Sequence, residues 1–99
     1  MPEERQPSVQ AMVWYRKEHW ETLKKLFADG DQLPSSYADW LQRAEEMAAE
    51  AQRQGDVVLK VYIEPEPFAE WCQNKGCVMN SEARSQLAIE VAQSQSFAL

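Results

Sequence analysis

Val57-Val58-Leu59-Lys60-Val61-Tyr62-Ile63-Glu64 decides how the rest of this chain is read. Val57, Leu59, Val61 and Ile63 alternate onto one face, wholly apolar, while Val58, Lys60, Tyr62 and Glu64 share the other. The stretch is β-branched and aromatic, and it predicts a strand. A lone strand cannot satisfy its backbone hydrogen bonds along its edges, nor cover its apolar face. No other segment alternates as well. The expected partner is therefore the same strand of a second copy, through Val57, Leu59, Val61 and Ile63.

Around it the pattern is helical. Residues 1–7 read as a disordered tail ending at Pro7. Ser8 then caps a helix to about Ala28, with Val9, Met12, Val13, Trp20, Leu23, Leu26 and Phe27 at helical spacing and Gly30 as its stop. After the turn at Leu33-Pro34, Ser35 or Ser36 caps a second helix. Its stripe of Tyr37, Trp40, Leu41, Ala44, Met47, Ala48 and Ala51 is the cleanest period in the chain, and Gly55 ends it. So short a turn predicts that the two helices pack as a hairpin over residues 8–55.

Pro65-Glu66-Pro67 stops the strand and opens a short third helix with Phe68, Trp71 and Cys72 inward, ended by Gly76. Cys77-Val78-Met79 reads as an apolar connector tucked inward. Asn80 or Ser81 starts a fourth helix to about Ser94, and residues 95–99 are a tail. The expectation is one mostly α domain of order α-α-β-α-α, with residues 56–94 as a strand-helix-helix unit and the strand paired across a dimer.

Composition narrows the function classes. The 99 residues make one domain, and 44% are apolar, too many for a disordered chain. The net charge is -6, with acid in excess on both sides of residue 55. Phosphate backbones attract clustered Lys and Arg, so this balance disfavours non-specific nucleic-acid or anionic-membrane binding. No run of about eighteen apolar residues spans a membrane. The polar start, Met1-Pro2-Glu3-Glu4-Arg5-Gln6-Pro7, lacks the pattern of a secretory signal. Cytoplasmic location is the expectation, with Cys72 and Cys77 reduced.

The residues that carry chemistry are few. Cys72 and Cys77 are five apart, and His19 is the one histidine, which is short of a zinc site. A redox pair is the alternative to two free thiols. His19 reads as a structural histidine at the edge of a helix stripe. Glu64 and Glu66 flank Pro65 and suit a solvated turn better than a catalytic pair. No catalytic, cofactor or metal residues are assigned. Trp14 and Tyr15 point away from Trp20 and Phe27 on the expected helix. They serve either as an aromatic edge for a partner or as surface that the dimer covers.

The strand with its two following helices, and Gly76 before Asn80-Ser81-Glu82-Ala83, resembles a ribbon-helix-helix unit over residues 57–94. That resemblance implies antiparallel strands paired between two chains. Val58, Lys60 and Tyr62 would enter the major groove, and the amides near Asn80 and Ser81 would hold a phosphate. The chain departs from the family in its short third helix and in having Lys60 as the single basic residue on that face. Phe68-Ala69-Glu70-Trp71-Cys72, Gly76 and Ala83-Arg84 are also similar to a pattern in small uncharacterised bacterial proteins, which implies a bacterial origin. The expected function is thus a small non-enzymatic dimeric protein-interaction module, with itself and an unknown protein as partners and no cofactor. The alternative is a ribbon-helix-helix-like DNA-binding regulator or antitoxin.

Overall fold

The computed structural model describes residues 8–97. The first described element is a strand, β1 (Val9–Trp14), where the helical spacing predicts a helix. Single 3-10 turns at Lys17–His19 and Gly30–Gln32 bracket α1 (Trp20–Leu26). Then come α2 (Tyr37–Arg53), β2 (Val57–Tyr62), α3 (Pro65–Lys75) and α4 (Ser81–Phe97). The expected α-α-β-α-α order is corrected to β-α-α-β-α-α. The expected tail over residues 1–7 lies outside the described residues. At the other end, α4 runs through Phe97, past the expected stop at Ser94.

β2 finds a partner inside its own chain. β1 and β2 pair in parallel, with Val9 opposite Val57, Ala11 opposite Leu59, Val13 opposite Val61 and Trp14 opposite Tyr62. Val9, Ala11 and Val13 share a face with Val57, Leu59 and Val61. Gln10, Met12 and Trp14 share the other with Val58, Lys60 and Tyr62. Val9, Met12 and Val13 fit a helical stripe, but Val9, Ala11, Val13 and Tyr15 fit strand alternation equally well, and tertiary pairing decides between them.

The core gathers on the odd-numbered face. Leu23 of α1, Ile63 just after β2 and Phe68 of α3 are fully buried, with Tyr15, Trp20, Phe27, Cys72 and Ala83 around them. Phe68 stacks on Trp71 and meets Phe27 edge-on, with ring centroids 6.4 and 5.6 Å apart. On the other side, Trp40 of α2 is half-buried and meets Trp14, Tyr15, Trp20 and Tyr37.

Local signals place the helix ends where spacing predicted. Ser36 caps α2, its Oγ accepting from the Asp39 N–H at 3.1 Å. Pro65 opens α3, and Gly76 closes it in the left-handed conformation at φ 70°. The Asn80 Oδ1 accepts from the Ala83 N–H at the start of α4. Gly30 is required by close approach, since a Cβ there would stand 1.8 Å from the Lys24 carbonyl oxygen.

One ion pair fastens α4 to the turn after α1. Arg84, 6% exposed, donates from both terminal nitrogens to Asp29, at 2.8 and 2.9 Å, and lies over the Phe27 ring. These bidentate bonds hold the Asp29 carboxyl below its ordinary range.

Two stability effects follow. Phe68→Ala should lower unfolding free energy by about 3–5 kcal/mol in urea titrations. Asp29→Asn should cost about 3 kcal/mol at neutral pH, because it leaves Arg84 buried without its counter-charge. The native Asp29 pKa is depressed, so its contribution is complete above the unfolded value of about 3.9 and is lost as pH falls through the folded value. The gap between wild type and variant should therefore close as pH is lowered.

Candidate functional site

The parallel ladder determines which backbone groups remain open. The Val57 N–H donates to the Ser8 carbonyl at 2.8 Å, and the Ile63 N–H to the Trp14 carbonyl at 2.9 Å. In a ladder of this register, the odd-numbered residues of β2 and the even-numbered residues of β1 face each other. Val9, Ala11 and Val13 therefore turn their N–H and C=O groups to the outer edge of β1. Among the described residues, no hydrogen bond reaches those outward groups.

That edge is the floor of a groove of about 570 Å³. Five consecutive residues, Gln10 to Trp14, line it, and no β2 residue does, so it lies beyond β1 rather than over the sheet. One wall is α2, through Trp40, Arg43, Ala44 and Met47. The other is α4, through Ser85, Ala88 and Ile89, with Pro34 completing the lining. The walls belong to opposite faces of the sheet. Trp40 packs on Trp14 of the even-numbered face, and Ile89 shares a recess with Val9 and Ala11 of the odd-numbered one.

The groove is apolar in an acidic chain. Among the described residues no Asp or Glu lines the groove, and Arg43 is the one charged residue of the lining. Met47 and Ile89 of the lining are 65% and 53% exposed, and Val9, next in sequence to its first residue, is 54% exposed, among the most exposed large apolar residues described.

The residues singled out from the sequence are dispersed by the fold. Val61 and Ile63 are buried as expected, Leu59 and Val58 are half-buried, and Val57 is exposed. One edge of β2 is taken by β1, so a ribbon with a second copy would have to form on the edge of Val58, Lys60 and Tyr62. Lys60 rests its ammonium over the Trp14 ring at 4.3 Å, and Arg16 its guanidinium over Tyr62 at 4.2 Å. Trp14 and Tyr15, expected at an aromatic edge or under a dimer, are buried within the chain. Tyr15 meets Trp20 and Phe27 rather than pointing away from them. Asn80 spends its side chain on the α4 start, and Ser81 is exposed.

The fold also brings together groups that the sequence left apart. His19, Glu64 and Glu66 line one open recess with Thr22. Among the described residues, no three of His, Cys, Asp and Glu converge in a way that could hold a metal ion. The connector after α3 is not tucked inward as a whole, since Cys77 and Val78 are exposed. No described helix is long and apolar enough to cross a membrane.

In comparisons with known proteins, the chain matches no family model, no curated protein and no solved structure.

Cys72 and Cys77 differ in accessibility. Burial pushes the Cys72 thiol up to about 11, reinforced by its contact with the Cys77 sulfur. An aromatic disulfide reagent at neutral pH should therefore titrate one thiol per native chain, Cys77, and two after unfolding. Cys77→Ser should remove the native reaction, and Cys72→Ser should leave it.

Proposed function

We propose that this protein is a non-enzymatic protein-interaction module whose working surface is the groove along β1 between α2 and α4. The observation that carries this is the meeting of open backbone groups at Ala11 and Val13 with a mostly apolar lining that holds no Asp or Glu among the described residues. Exposed apolar surface gathered in one place marks an interaction site more often than scattered residues do. The described acidic residues lie outside the lining, so another protein meets little like-charge repulsion from them on this face.

The DNA-binding alternative draws on Lys60 and Tyr62 of β2. Lys60 is already engaged with Trp14, and one lysine per strand supplies little of the phosphate attraction that dominates such affinity. A protein partner is therefore the preferred reading.

A photo-crosslinking residue placed at Met47 tests it in the cells that express the protein. A discrete adduct is expected from Met47 and none from Glu66, which lies outside the groove. Ala44→Arg, which inserts a long cation into the lining, should weaken the Met47 adduct. No adduct from Met47, or equal adducts from both positions, would count against the proposal.

A further inference from the structure

We infer that the groove takes an extended segment of another protein, which adds to β1 as a third strand. This rests on the interaction-module reading and goes further, to the shape and chemistry of the partner.

The first ground is hydrogen bonding. Whatever fills the groove covers the outward N–H and C=O groups of Ala11 and Val13, and an occupant that runs on along β1 also reaches those of Val9. Buried backbone groups need partners. A docked helix has its own backbone groups paired internally and offers none along its length. An extended strand offers N–H and C=O groups at alternate residues, at the period the edge requires.

The second ground is the pair of walls. α2 and α4 overhang the edge from opposite faces of the sheet. In a symmetric dimer through β1, the mate would bring its own α2 and α4 to the same seam. Adjacent strands lie ~4.8 Å apart, whereas a helix with its side chains is ~10 Å across. Two walled edges cannot approach to that spacing. A single segment without flanking helices can.

The third ground is the lining. A strand in this position alternates its side chains towards the two walls. Those facing α4 meet Ala88 and Ile89, and those facing α2 meet Ala44 and Met47. Both sets are apolar, and Arg43 favours one carboxylate among the residues on the α2 side. The occupant is an extended, mostly uncharged segment with apolar residues towards both walls and an acidic residue within reach of Arg43.

The test uses the full chain and a random phage-displayed peptide library, counter-selected on the Ala44→Arg protein. Enriched peptides, once synthesised, are the probes. Their apolar residues should be consecutive or alternate rather than spaced by three and four. On binding, amide exchange at Val9, Ala11 and Val13 should slow by about tenfold or more, while Gln10 and Met12, already in the β1–β2 ladder, change little. Ala11→Pro removes an outward N–H without breaking that ladder, and should weaken binding about tenfold, the loss of one hydrogen bond plus a steric conflict. The exchange measurement on the wild-type protein stands even if this variant folds poorly.

Three results would overturn the inference. Peptides of helical spacing that bind without slowing exchange at Val9, Ala11 and Val13 would exclude strand addition and leave the interaction module intact. A concentration-dependent dimer of the wild-type chain, made monomeric by Ala11→Pro, would make the occupant a second copy. If no peptide distinguishes wild type from Ala44→Arg, strand addition fails, and the Met47 crosslink then decides separately whether the groove binds a protein at all.

Discussion

Two neighbouring parallel strands cannot be joined by a tight turn, and that constraint organises this molecule. The chain leaves β1 at Trp14 and must return to the end where β1 began, beside Val9, before β2 can start at Val57. Everything between serves as the crossover. α1 and the turn at Gly30 reverse the path, and α2 carries it back across the even-numbered face through the contact of Trp40 with Trp14. The opposite face is left for α3 and α4, whose Phe68, Cys72 and Ala83 close over Ile63 and Leu23. A sheet of two strands has no interior strand, so both are edges. The covering helices are what protect them.

The Arg84–Asp29 pair belongs to this arrangement. Arg84 projects from the buried side of α4 and reaches the turn after α1, far away in sequence. An ion pair of this kind recovers little net free energy, because desolvation of both charges offsets their attraction. Its value is geometric. The bidentate fork tolerates little displacement, and Phe27 beneath the guanidinium confines it further. Sliding α4 along the sheet would leave Arg84 buried without a partner. The pair therefore fixes the position of α4, and with it the wall that Ala88 and Ile89 present to the groove.

What the sequence disclosed divides along local and non-local lines. Ser36 before Tyr37, Pro65 after β2, Gly76 after α3 and Asn80 before α4 act within a turn of their own position, and their roles were readable without the fold. β2 was readable too, because Val57, Leu59, Val61 and Ile63 give one unbroken apolar face at alternate positions. β1 was not. Val9, Met12 and Val13 satisfy a helical period, and Val9, Ala11 and Val13 a strand period. Only pairing to Val57, Leu59 and Val61 separates the two. The demand that β2 have a partner was sound, but the partner stood earlier in the same chain. A helical period over β1 puts Trp14 and Tyr15 on a surface, whereas the strand puts both in the core. The groove had no sequence signature, because its floor and two walls come from three separated elements.

The two edges of the sheet are treated differently, and the contrast bears on function. An open strand edge invites unwanted pairing, and a lysine along it is a common guard. The outward edge of β2 has Lys60 at its centre, held over Trp14. The edge of β1 has Val9, Ala11 and Val13, with no charged residue among them. What limits access there is the overhang of α2 and α4. Lysine discourages strand pairing generally, whereas overhanging walls exclude broad partners and leave room for a narrow one. On the proposed reading an apolar edge guarded by shape stays able to bind, and that would distinguish β1 from the edge of β2.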